Sequence, residues 1–209
     1  MTHPYTIPNL LTALRIALIP AIVLLFYLPY GWSDMACGLM FALAGITDSF
    51  DGYLARRLGQ VSPLGAFLDP VADKLMVATA LVLIVSKDPA WYVTLTAAVI
   101  IGREIAISAL REWMAEIGAR HKMKVSGIAK FKTIAQIVGL SMMLFRQDLL
   151  GLPVYRTGIA LTVLAAMLTL WSMAAYLRAA WPELRSSAKL DSPEPIPTMT
   201  PPDWRRPRE

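Results

Sequence analysis

The chain has a single cysteine, Cys37, so an intrachain disulfide is impossible and a small cross-linked scaffold is excluded. A lone thiol in apolar sequence reads as a small buried side chain. Histidine is almost as scarce. His3 and His121 lie far apart with no converging partner, read best as interfacial groups, and cannot build a zinc site between them. Charge is sparse too: Asp, Glu, Lys and Arg make up 17% of the 209 residues, whereas 56% are hydrophobic. With a mean hydropathy of +0.51, the chain is too apolar for an ordinary soluble domain of this size. The fold class expected is therefore an all-α integral membrane protein. No basic stretch precedes the first apolar run and no small-residue cleavage site follows it, so the first helix is expected to stay in the mature protein. Internal repeats are absent as well.

The net charge of +5 and the pI near 9.5 would suit nucleic acid, but the basic residues gather at the ends of apolar runs. That distribution fits the cytoplasmic face of a membrane carrying anionic lipids, and no nucleic-acid partner is expected. Six transmembrane helices are predicted, preceded by an N-terminal interfacial segment. The first lies within residues 5–30, with Pro20 tolerated as a kink, and the others cover about 33–57, 63–86, 91–117, 125–144 and 155–179. Residues 1–180 form the membrane domain. Seven of the fifteen prolines fall in residues 181–209, read as a disordered cytoplasmic tail. The turns after spans two, four and six hold Arg56, Arg57, Arg120, Lys122, Lys124 and Arg178, against Lys87, Arg146 and Arg156 in the others. By the positive-inside rule both termini are cytoplasmic and the active site opens to the cytoplasm.

Against this scarcity of charge, residues 48–73 stand out. Asp48, Asp51, Asp69 and Asp73 lie within apolar sequence, where an unpaired carboxylate is costly and marks function. Asp48, Asp51, Gly52, Ala55 and Arg56 follow at helical spacing, and Gly65, Asp69 and Asp73 repeat every four residues. Gly59 can end one helix, while Ser62 and Pro63 can start the next. A helical hairpin with facing acidic stripes is the expected result. Facing carboxylates need positive charge between them, and all-oxygen donors favour magnesium, manganese or calcium. Four aspartates suffice for two ions at the separation of about 3.5 to 4 Å used in two-metal displacements. Gly52 and Gly65 would let a substrate approach the helix backbones.

The order Asp48, Asp51, Gly52, Ala55, Arg56, eight residues, Gly65, Asp69, Asp73 matches the signature of the CDP-alcohol phosphatidyltransferases without a departure. The stretches IPNLLTALRIALIP, FLDPVADKL and GREIAISALREWMAEIG extend the resemblance from residue 7 to about residue 180, towards members that use glycerol phosphate. It implies transfer of the phosphatidyl group of CDP-diacylglycerol to the C1 hydroxyl of sn-glycerol 3-phosphate, releasing CMP, in the bacterial inner membrane. Two divalent cations, Mg2+ or Mn2+, are implied at Asp48, Asp51, Asp69 and Asp73, with Asp73 also the base for the acceptor hydroxyl. Thr12, Gly52, Ala55, Arg56 and Gly65 are implied around CDP-diacylglycerol, and the working form is expected to be a homodimer.

Four ionised aspartates and two divalent ions balance, so a bound diphosphate and a second phosphate require further cations. Arg103 and Arg111 lie about 80° apart around a helix and can border one cavity. Lys130 and Lys132 are about 200° apart and cannot both face it; Lys130 is chosen because the stretch GIAKFKTIAQ resembles the polar fifth helix of the family. Glu104 is expected to brace a neighbouring arginine, Glu112 to be interfacial, and Glu116 to pair with Arg120. Arg15 either snorkels to headgroups or reaches substrate phosphate. Two competing readings stay open. One changes the acceptor to inositol phosphate, serine, choline or phosphatidylglycerol, which the signature does not discriminate. The other is a cation transporter, which predicts broken helices or inverted repeats that the sequence lacks.

Overall fold

Apolar runs bounded by proline and small polar residues become six helices among the described residues of the computed structural model of the chain. They are α1 (Ile7–Phe26), α2 (Ser33–Leu58), α3 (Pro63–Lys87), α4 (Trp91–Glu116), α5 (Ile128–Phe145) and α6 (Val154–Leu190). The structure describes residues 7–58, 63–118, 128–149 and 151–190, and among these the side chains of 12–48, 65, 67–118, 131–149, 151–178 and 180–182. The expected boundaries hold to within a few residues, and Pro63 is the first residue of α3 as a first-turn proline should be. No interfacial segment separates from the first helix among the described residues, because α1 is continuous from Ile7 through Pro20.

The last helix corrects the sequence reading. α6 runs through Pro182 to Leu190, past the boundary set at residue 180. Glu183, Leu184, Arg185, Ala188 and Lys189 are good helix formers, and Ala180 is fully buried in a small cluster with Met114, Leu110 and Trp113 of α4. Residues 191–209 lie outside the described residues.

Packing places an apolar core at one end of the bundle and leaves the aspartates at the other. Ile22 and Phe26 of α1, Cys37 and Phe41 of α2, Ala80 and Ile84 of α3, Val93 and Ile100 of α4, and Leu140 and Leu144 of α5 form this core. Cys37 is completely buried, as its apolar role requires. Polar ties close the same end. Asp34 pairs with Lys87 at 2.5 Å, Tyr155 donates to Asp88 at 2.5 Å, and Gln147 donates to the Gly31 carbonyl at 2.6 Å. Because consecutive helices alternate in direction, the opposite end collects the end of α2, the starts of α1, α3 and α5, and the end of α4.

α5 and α6 make the most extensive contact of the bundle, and glycine makes it possible. A Cβ on Gly158 would stand 2.8 Å from the Gly139 carbonyl oxygen, and one on Gly139 would collide with Thr162 Oγ1. α2 approaches α5 in the same way, since a Cβ on Gly38 would meet the Ser141 carbonyl at 2.7 Å. Among the described residues α2 and α3 both pack on α1 and α5 rather than along one another. The turn of the expected hairpin, residues 59–62, lies outside the described residues, and among the described ones α1 packs against both acidic helices.

Large apolar side chains also cover the outside, among them Leu24, Trp91, Phe131 and Trp171. Trp91–Glu116 and Val154–Arg178 are long and apolar enough to cross a membrane, while Thr12–Phe26 and Phe131–Phe145 are shorter apolar stretches.

Candidate active site

The start of α1 organises the acidic segments. Thr12 and Arg15, one helical turn apart, are 1% and 2% exposed. The Thr12 hydroxyl donates to Asp69 Oδ1 on α3, and Arg15 Nη1 pairs with Asp48 Oδ1 on α2. Arg15 is therefore turned inward rather than snorkelling; it braces a carboxylate, and the same α1 face orients both acidic segments. Thr12, implied at the CDP-diacylglycerol site, holds Asp69. Gly65 is buried near the start of α3. The side chains of Asp51, Ala55 and Arg56, and the surroundings of Gly52, lie outside the described ones.

Asp73, one turn beyond Asp69, enters a polar cavity between α3, α4, α5 and α6. Two contiguous chambers, about 190 and 410 Å³, share Asp73, Lys74, Arg103, Glu104, Arg111, Lys132 and Tyr176 in their walls. The larger also reaches Pro70, Ser108 and Glu112, and the smaller, more enclosed one reaches Val77, Thr133 and Gln136.

Arg103 and Arg111 border one cavity, as their angular separation predicts. Glu104 pairs with Arg103, the bracing expected of it, and Arg103 Nε is buried with no hydrogen-bond partner. A cationic donor without an acceptor, in the wall of a cavity, suits an anionic guest. Arg111, an exposed residue that also lines the cavity, places its guanidinium 5.8 Å from the centre of the Tyr176 ring in the same wall. Glu112 is exposed and lines the outer chamber. Arg120, the expected partner of Glu116, and both histidines lie outside the described residues.

On α5 the lysine in the cavity is Lys132. It is 8% exposed and donates to Ser172 Oγ of α6 at 3.0 Å. The side chain of Lys130, chosen from the sequence, lies outside the described ones. Lys132 was the alternative set aside in favour of Lys130, while Gln136 and Tyr176 escaped the sequence reading. One signal was available: Lys132 and Gln136 are a polar i,i+4 pair on an otherwise apolar helix.

The donors assembled so far, Asp48, Asp69 and Asp73 with the Thr12 hydroxyl alongside, are all oxygen and mostly anionic. Such a set fits a hard divalent cation such as magnesium or manganese and is unsuited to zinc or copper. Among the described side chains no cluster of three or more acidic, histidine or cysteine groups is closed around one point, and Asp51 is not among those side chains.

Comparison with known proteins gives a consistent result. The family model described as CDP-alcohol phosphatidyltransferase matches residues 5–175. A Pseudomonas fluorescens protein named CDP-diacylglycerol–glycerol-3-phosphate 3-phosphatidyltransferase is 55% identical over 184 residues, covering 88% of this chain and 94% of its own. Proteins of the same name from Escherichia coli K12 and Salmonella choleraesuis are each 54% identical. They cover 86% and 84% of this chain, and 97% and 95% of their own length.

Proposed function

The chain belongs to the CDP-alcohol phosphatidyltransferase family, and from that premise we propose that it transfers the phosphatidyl group of CDP-diacylglycerol to sn-glycerol 3-phosphate, giving phosphatidylglycerophosphate and CMP. The observation that carries this reading is the similarity over nearly the whole length of relatives bearing that activity in their names. The cavity supports it. Arg103, Arg111 and Lys132 present three cations to a small anion beside the Asp73 carboxylate. An acceptor held there by its phosphate would bring its C1 hydroxyl to Asp73, which takes the proton as the oxygen attacks phosphorus and CMP leaves.

Asp48, Asp51, Asp69 and Asp73 would hold two divalent cations, magnesium or manganese, whose charge offsets that of the diphosphate. The protein's own contribution is positional. Arg15 and Thr12 orient Asp48 and Asp69, and Glu104 orients Arg103. Gly52, Ala55, Arg56 and Gly65 would form the surface that receives the cytidine diphosphate group.

The six helices are read as six spans of the bacterial inner membrane. Both termini and the aspartates would lie on the cytoplasmic side, where a water-soluble acceptor and a lipid donor can meet. The outward apolar side chains and the distribution of cations support this, and a homodimer within the membrane belongs to the same reading.

The test is CMP release by the purified protein with CDP-diacylglycerol and magnesium fixed, varying the acceptor among glycerol 3-phosphate, inositol phosphate, serine and phosphatidylglycerol. Glycerol 3-phosphate should be preferred, and Asp73→Asn should lower release by at least about a hundredfold while the protein stays folded. Preference for another acceptor would keep the family and replace the reaction.

A further inference from the structure

The smaller chamber of the cavity has a neutral end that phosphate binding does not use. Gln136 is 8% exposed, lines this chamber one helical turn beyond Lys132, and makes no hydrogen bond to the described residues. A carboxamide with no hydrogen bond inside the protein is left to bond whatever enters the chamber its residue lines. Val77, Thr133 and Ile137 also line this chamber and carry no charge, and the amide's donors and acceptor remain for whatever fills it. A phosphate would choose the cations. A carboxamide, at once donor and acceptor and without charge, matches a hydroxyl group.

Resting on the glycerol 3-phosphate reading, we propose that Gln136 is a specificity-determining residue that hydrogen-bonds the C2 hydroxyl of the acceptor. The acceptor's three functional groups then meet three kinds of wall. The phosphate lies against Arg103, Arg111 and Lys132, the attacking C1 hydroxyl against Asp73, and the C2 hydroxyl against Gln136. Lys132 and Gln136 are about 6 Å apart along the axis of α5, the scale of a three-carbon phosphate. An acceptor lacking the middle hydroxyl would bury the amide unsatisfied, and sites built to bond a hydroxyl discriminate strongly against analogues without it.

The probe is 3-hydroxypropyl phosphate, which keeps the phosphate and the primary hydroxyl and lacks only the C2 hydroxyl. With full-length protein in detergent, CDP-diacylglycerol and magnesium, kcat/KM is measured for this compound and for sn-glycerol 3-phosphate. The wild type should prefer glycerol 3-phosphate by about tenfold or more, and Gln136→Met should bring the two within about threefold by losing activity only on glycerol 3-phosphate. Gln136→Asn, which keeps the amide but withdraws it, should also narrow the ratio and serves if the methionine variant does not fold. Equal losses on both acceptors, or a wild type indifferent to the hydroxyl, would overturn the assignment while leaving the reaction intact. No CMP release from the wild type with either acceptor would overturn the underlying reaction and this assignment with it.

Discussion

An ammonium group on an apolar helix needs both a hydrogen-bond acceptor and a counter-charge, and Lys132 finds the first in Ser172 and the second near Asp73 and Glu104. Lys132→Met should therefore raise KM for glycerol 3-phosphate by about ten- to a hundredfold, the scale of a lost charged hydrogen bond, and leave KM for CDP-diacylglycerol little changed. Lys130→Met, about 200° away on the same helix, should have the smaller effect. Steady-state kinetics in mixed micelles decides between them, and a larger effect at Lys130 would return the phosphate site to that residue. Sequence alone does not decide between the two, for a physical reason. A membrane helix is apolar towards lipid as well as towards its neighbours, so periodicity does not fix its rotation about its own axis. Arg15 was hidden differently, since its partner Asp48 is 33 residues away and nothing local announces the pairing. The aspartates themselves were legible because four carboxylates in apolar sequence have few stable explanations.

Helix limits were legible where proline, glycine and short polar runs interrupt the apolar segments, as at Pro63 and around Pro89. The end of α6 was not, because proline content suggested a tail while burial of Ala180 against Met114 keeps the helix going. Neighbour relations were also beyond the sequence. That α5 touches both α2 and α6 depends on which glycines permit close approach, and those at 38, 139 and 158 do so by lacking a Cβ. Gly158→Ala should consequently destabilise the bundle by about 1 to 3 kcal/mol, the usual cost of overpacking. Gly102→Ala, with nothing within 4 Å of the added Cβ, should leave the unfolding midpoint unchanged. Thermal unfolding of the two variants in the same detergent makes the comparison, and equal midpoints would show that the α5–α6 contact yields readily.

At the scale of the whole molecule the two ends differ in character. One holds the apolar core and the Asp34–Lys87 and Tyr155–Asp88 ties; the other holds a polar cavity with charged walls. If the cavity end faces the cytoplasm, cysteines placed at the two ends of a Cys37→Ala protein should label from opposite sides. Gly31→Cys, in an open turn at the core end, should react with a membrane-impermeant maleimide on intact cells, and Glu116→Cys only after permeabilisation. The reverse pattern would invert the topology and place the site where no cytoplasmic acceptor reaches it.

The glycine contact between α5 and α6 has one more consequence. With backbone against backbone at Gly139 and Gly158, the two helices behave as the blades of a gauge, and Lys132 is positioned by a contact seven residues away, about 10 Å along α5. A slip of a single residue would shift that lysine by about 1.5 Å and swing it by about 100°, out of the cavity. Acceptor preference can therefore drift through substitutions that never touch the acceptor, and this seam is the first place to look for differences between relatives that accept different alcohols.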